Sequence, residues 1–239
     1  MKEVRHVLGP KYPFYRQRFI ILFFFLMVIY LISPFAEHSG LGLSLIYHMI
    51  FIFSMFSAAY SVCQLRWQVL VAVILGVPTL VTIILMYVLN EPRVGLVLAI
   101  LYVIFYGYVA ATMLSYVVRE QLVSANTIFA SLCVYFLLGL IFAMVFVVVE
   151  VAMPGSFYIS TGLGDLRSVQ FGMFSNYSYF FYFSFVTLTT LGYGDITPVN
   201  LVAGTFASLE AVIGQLYLVI MVARLVGLHI NRRGEFQIR

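Results

Sequence analysis

An all-α membrane protein, with six transmembrane helices and a half-length re-entrant helix between the fifth and the sixth, is the fold class this sequence predicts. Three observations predict it. Of the 239 residues, 63% are apolar and only 9% are charged, against about 45–50% and about 25% in a soluble domain. A chain so composed could not keep its surface wet and belongs in a bilayer. Six apolar runs are long enough to cross the hydrocarbon core, and a seventh, from Tyr177 to Leu188, reaches about halfway.

The six runs fall at 19–36, 41–62, 69–89, 94–118, 126–149 and 201–228. At about 1.5 Å per residue the shortest covers ~27 Å and the last ~42 Å, against a core of ~30 Å. The last is therefore expected to tilt or to extend past the membrane. Residues 1–18 form a basic N-terminal segment whose Tyr12, Phe14 and Tyr15 suit either a topology anchor or contact with anionic lipid. After the first run comes Ser33-Pro34-Phe35-Ala36-Glu37 rather than a small-residue cleavage site, so that run reads as a retained span. Residues 19–118 form a four-helix transmembrane domain whose short loops make its spans antiparallel neighbours. A second domain, 119–228, contains an outer helix (126–149), a long linker (150–176), the half-length helix (177–188), a glycine-rich segment (189–195) and the last span (201–228). Residues 229–239 form a short tail, too short for a nucleotide- or calcium-binding domain.

Basic residues set the orientation. Eleven of the thirteen fall on one side: Lys2, Arg5, Lys11, Arg16, Arg18, Arg66, Arg119, Arg224, Arg232, Arg233 and Arg239, with only Arg93 and Arg167 opposite. Glu37, Glu91, Asp165 and Asp195 lie on that opposite face, with Glu150 at its border. Six spans with both termini in the cytoplasm satisfy this pattern. The net charge of +4 is thus a topology signal, and no nucleic-acid partner is expected. Cys63 and Cys133 lie in or beside apolar runs and make neither a disulfide framework nor a metal spacing. His6, His38, His48 and His229 lie on different elements and form no metal set. No nucleophile–base arrangement stands out, so no enzyme and no cofactor is expected. A secondary transporter would need inverted repeats or paired broken helices, and there is one re-entrant segment with no second copy.

The chemistry lies in Thr189-Thr190-Leu191-Gly192-Tyr193-Gly194-Asp195. It follows a helix that ends near mid-membrane, where irregular backbone survives only inside protein or along a water-filled path. Glycines spaced by one residue permit conformations that a Cβ resists. Repeated alternation of that kind can turn successive carbonyls one way, and several such strands around an axis can replace the water shell of a bare cation. The stretch 190–195 resembles the Thr-Val-Gly-Tyr-Gly-Asp signature of potassium channels, with Leu191 in place of Val. The resemblance covers about 126–228.

That resemblance implies a tetramer of identical chains, with the half-length helix as pore helix and 189–195 as selectivity filter. The potassium ligands would be the carbonyls of Thr190, Leu191, Gly192 and Tyr193, with the Thr190 hydroxyl. The Tyr193 ring would brace the filter against the pore helix, Gly194 and Asp195 would form its mouth, and Thr189 would support it. Leu191 contributes its carbonyl, so potassium selectivity should survive the departure. A poorly selective cation pore and a silent modifying subunit are the alternatives, separated by reversal potentials and by current from the chain alone.

Gly214 lies twenty residues beyond Gly194. The resemblance implies a hinge there; close packing against span five is the other reading. Gln215, Leu218, Val222 and Val226 continue at helical spacing as a stripe; the resemblance implies that it faces an aqueous cavity, with the last three as an apolar gate. Glu210 sits ~13 Å into the span, where a carboxyl is costly and functional by default. A hydroxyl near Thr187 or Thr189, or a pore-helix Tyr, is its expected partner, and steadying the filter its expected role. Arg224 is expected to snorkel to the interface. Span four has no Lys or Arg between Val94 and Val118. Coupling to voltage needs charges that move through the field, at about 2.3 kcal/mol per charge per 100 mV, so steep voltage gating is not expected. An unknown gating ligand or lipid, acting on the membrane-embedded part, is left open. Compactness alone points to a bacterial cytoplasmic membrane.

Overall fold

The computed structural model describes residues 18–38, 41–62, 66–89, 92–120, 124–160 and 177–237. The basic segment 1–17, Cys63, Glu91, linker residues 161–176 with Asp165 and Arg167, and the last two residues lie outside the described residues. Among the described residues are seven helices and two short strands. In chain order these are α1 (Arg18–His38), α2 (Leu41–Val62), α3 (Arg66–Leu89), α4 (Pro92–Arg119), α5 (Ala125–Ala152), β1 (Phe157–Ile159), α6 (Tyr177–Leu188), β2 (Ile196–Pro198) and α7 (Leu201–Gln237). The protein is an all-α membrane fold. Helices α1, α3, α4, α5 and α7 are long and apolar enough to cross a membrane, whereas α2 offers the shorter apolar stretch Met49–Ser61 among the described residues.

Two features were not foreseen. Strands β1 and β2 flank α6 and pair antiparallel, with Phe157 opposite Pro198 and Ile159 opposite Ile196. Beyond residue 228, where the membrane-capable stretch ends, α7 runs on as helix to Gln237. No proline stands between Leu228 and Gln237, and the lone Gly234 costs a helix only about 1 kcal/mol.

Helix α5 begins at an N-cap, Ser124, whose side chain accepts from the Thr127 backbone N–H at 3.2 Å. That satisfies one of the donors that a helix start leaves open. It packs along α4 and against α1, α6 and α7. The α6 sequence is aromatic nearly all round, and Phe180, Phe181, Phe183, Ser184, Phe185, Val186 and Leu188 are all buried. A short helix that is apolar on every face needs neighbours on every face, and α1, α5 and α7 supply them.

The Phe185 ring fixes how α6 sits. It lies 4.4 Å from the Tyr30 ring of α1 and 5.2 Å from the Phe136 ring of α5. Its tip fills the notch at Gly139, where an added Cβ would come within 2.8 Å of the ring. The Ser184 hydroxyl donates to the Gly139 carbonyl at 2.7 Å. On α2, Phe51 stacks near Phe181 with centroids 6.4 Å apart. Helices α1, α2 and α5 thus fix α6 from behind, and the chain leaves it at Leu188 in one place.

Candidate functional site

The last turn of α6 closes in a defined way. Leu191 N–H donates to the Val186 carbonyl, and Thr190 N–H donates to the Thr187 carbonyl, both at 2.9 Å. This nested pair is the Schellman end of a helix, and it puts Thr190 at the position that takes left-handed backbone. Thr190 has φ 58°, the one non-glycine residue with positive φ among the described residues. Glycine is the usual occupant there; a β-branched residue carries strain of about 1–3 kcal/mol. Gly192 (φ 60°) and Gly194 (φ 78°) continue the alternation, left-handed at every second residue. The segment follows a helix of 12 residues, about 18 Å long.

Residues 189–194 are exposed in the single chain, with Leu191 and Tyr193 at 59% and 66%. Thr189 folds back, its hydroxyl donating to the Phe185 carbonyl at 2.6 Å. The Tyr193 ring lies nearly parallel to Tyr182 of α6, with centroids 6.5 Å apart. Asp195 is held from three directions. Its Oδ2 accepts from the Tyr182 hydroxyl at 2.5 Å, its Oδ1 from the Ile196 N–H at 2.9 Å, and its carbonyl from the Ser160 N–H at 2.9 Å.

That last contact ties the segment to β1, and β1 is tied to α5. Glu150 is buried at the end of α5. Its two oxygens accept from the backbone N–H groups of Gly155 (2.8 Å) and Phe157 (3.1 Å). After β2, Asn200 caps α7: its Oδ1 accepts from the Ala203 N–H at 2.8 Å, and its Nδ2 donates to the Ser156 hydroxyl at 2.6 Å.

Helix α7 meets α6 in a fixed register. Glu210 is fully buried, and its Oε1 lies in hydrogen-bond contact with the Ser184 hydroxyl, whose single proton also faces the Gly139 carbonyl. Its expected partners were Thr187, Thr189 or a tyrosine. The pairing falls instead one turn earlier on α6, because Gly214 rests on Leu188 and so sets Glu210 opposite Ser184. A Cβ at Gly214 would lie 2.5 Å from the Leu188 carbonyl oxygen. Gly214 is therefore a buried contact with α6, and its three nearest neighbours all belong to Leu188 rather than to span five. The Tyr135 hydroxyl of α5 donates to the same carbonyl at 3.4 Å.

Gln215, Leu218, Val222 and Val226 are exposed on α7. Gln215 Nε2 donates to Thr190 Oγ1 at 3.3 Å, a contact that sequence reasoning did not anticipate. Arg224 also has partners that were not anticipated. Its Nη2 donates to the Val118 carbonyl and, at 2.8 Å, to the Glu120 carbonyl, so besides any anchoring at the interface it caps the end of α4. The carbonyls that end a helix carry partial negative charge and favour a cation. Ser184 and Tyr182 were also missed; the signal for Ser184 was a small hydroxyl residue inside an aromatic run, on the helix beside an unexplained buried carboxyl.

A family model described as an ion channel matches residues 101–229, from the middle of α4 to the C-terminal part of α7. No curated protein and no solved structure matches the chain.

Proposed function

The chain belongs to the ion channel family, and from that premise we propose that it is one subunit of a potassium-selective channel, four copies of which surround a central pore. The observation that carries this reading is the left-handed backbone at Thr190, Gly192 and Gly194, placed directly after a half-length helix. Alternating handedness lets the carbonyls of Thr190, Leu191, Gly192 and Tyr193 serve as a column of neutral oxygens. One chain gives one side of such a column. Cyclic symmetry gives the rings that replace an ion's hydration shell.

The exposure of the single chain supports the same assembly. Leu209, Val212, Leu216, Val219 and Ile220 stand open on α7, as expected of a helix that packs against copies of itself. In the tetramer α6 would direct its C-terminal, partially negative end toward the cavity, favouring a cation there. Asp195 and Gly194 would form the mouth, and Tyr182 would brace it. Glu210 and Ser184 would hold α7 to α6 behind the filter. Leu218, Val222 and Val226 would form an apolar gate that closes by dewetting.

In this reading the chain crosses the cell membrane six times, with both termini in the cytoplasm. Helix α4 has no basic residue from Val94 to Val118, so opening would not be steeply voltage-dependent. Planar-bilayer recording of the purified protein under ionic gradients tests the proposal. The expected reversal potential follows the potassium gradient and ignores sodium. Equal permeability would leave a non-selective cation pore. Absence of current, or cross-linking that stops at dimers, would overturn the channel reading.

A further inference from the structure

Taking the channel reading above as given, we propose that Gln215 belongs to the ion path: its amide fixes the Thr190 hydroxyl, and the two side chains together make the innermost cation site of the filter. Thr190 stands at a helix end that accepts glycine without penalty, yet its φ is 58°. The strained side chain brings one functional group to that point, the Oγ1 hydroxyl. Gln215 Nε2 lies 3.3 Å from that oxygen and donates to it.

The contact is not an accident of a loose side chain, because α7 is pinned on both sides of Gln215. Five residues earlier, Glu210 is in hydrogen-bond contact with Ser184. Immediately before it, Gly214 lies against Leu188, leaving no room even for a methyl group. Two residues later, the Tyr217 hydroxyl donates to the Ser131 carbonyl at 2.6 Å. These contacts set the rotation and height of α7 relative to α6. Residue 215 is thereby delivered to residue 190, on the side where both are exposed.

The chemistry follows from lone pairs. A threonine hydroxyl has two acceptor lone pairs and one rotating proton. The Gln215 N–H occupies one lone pair and stops the rotation, which leaves the other available to a cation. The same amide carries a carbonyl oxygen, a neutral ligand of the kind that the backbone supplies higher in the filter. Repeated four times, the pair offers hydroxyl and amide oxygens to a potassium ion losing or regaining its water. A divalent ion of similar size, barium, should lodge there and block.

Barium applied to reconstituted channels from the side that Leu218 and Val222 line is the test. Replacing Gln215→Leu should weaken block roughly tenfold or more, since four fixed hydroxyls lose their partner. Replacing Gln215→Glu should strengthen it roughly tenfold by placing carboxylates at the entrance. A purely structural role would reduce the number of working channels but leave the block affinity of the survivors at the wild-type value, and that result overturns the assignment. Where a variant carries no current, the barium-induced rise in melting temperature of the purified protein replaces block as the readout. Stabilisation equal to wild type in both variants overturns it equally. A wild-type protein without potassium current would overturn the channel reading itself, whereas a conducting wild type with unaltered variants removes Gln215 alone.

Discussion

Substituting Gly214→Ala should loosen the join between α7 and α6, and the structure gives the size of the effect. The new methyl would sit 2.5 Å from the Leu188 carbonyl oxygen and 2.9 Å from the Leu188 Cδ1, against at least 3.4 Å in ordinary contact. The nearest atom is backbone at a helix end that the Schellman bonds and Tyr135 hold in place, so it cannot swing aside as a side chain would. The helices must part by most of an ångström, and overpacking of this kind costs about 1–3 kcal/mol. Alanine returns up to about 1 kcal/mol of helix propensity, leaving a net loss of up to about 2 kcal/mol. For a chain this long that lowers the apparent melting temperature by up to about 8 °C. Gly107→Ala in α4 is the control: no atom lies within 4 Å of its added Cβ, so it should be neutral or stabilising by up to about 1 kcal/mol. Thermal unfolding of the purified proteins, with bilayer recordings alongside, reads both. If Gly214 were a free swivel, alanine would stiffen and stabilise α7 as it does α4. Equal melting temperatures for the two variants would therefore refute the contact.

Ser184→Ala should cost about 1–3 kcal/mol, because it leaves the buried Glu210 carboxyl without its hydrogen-bond partner; Glu210→Gln, which keeps a hydrogen-bonding group facing Ser184, should cost less. The opposite order in thermal unfolding would show that Glu210 is held by something else. Tyr182→Phe removes the hydrogen bond to Asp195 while keeping the ring beside Tyr193, so sustained current should decay roughly tenfold faster. In the proposed channel, raising potassium at the mouth should slow that decay, because an ion held between the strands would prop them; a decay insensitive to potassium counts against the brace. Arg224→Gln removes the cap on the α4 carbonyls and should change the open fraction about fivefold or more without altering the current through one open pore. An unchanged open fraction would reduce Arg224 to a passive anchor.

The half-length helix was legible because its composition and its limits agree. The aromatic run Tyr177–Leu188 is bounded by the glycine-rich segment, and α6 has those same ends. The Gly192 and Gly194 conformations were legible for the same reason, since glycine marks where left-handed backbone is cheap. Thr190 was not: nothing in a Thr-Thr pair tells which residue will take φ 58°, and propensity argues against both. The Ser184–Glu210 pair was missed by one turn. Depth within the membrane had been estimated by counting along each helix, while the offset between α6 and α7 is set by one contact, Gly214 on Leu188. The strands escaped notice because each has three residues, too few to show alternation, and Pro198 argues against a strand on its own.

The first four helices show a deeper limit. The sequence told what they lack, an arginine ladder, but not what they touch. In water an amphipathic stripe marks the buried face of a helix. In a bilayer lipid tails are as apolar as leucine, so packing against protein or against lipid leaves the same pattern. Helices α1 and α2 therefore gave no hint that Tyr30 would meet Phe185 and Phe51 would meet Phe181, on the helix that precedes the glycine-rich segment. What does mark the inward face is smallness and polarity. Gly139 receives the Phe185 ring. Ser184 bonds across to the Gly139 carbonyl, and Ser54 bonds to the Tyr106 hydroxyl at 2.8 Å with both residues buried. A hydroxyl in hydrocarbon must find a partner, and the partner is protein. In this chain Gly139, Ser184 and Ser54, which close on a neighbouring helix, locate the interior, whereas Gly107 meets nothing within 4 Å and Ser115 and Ser208 bond back to their own helix.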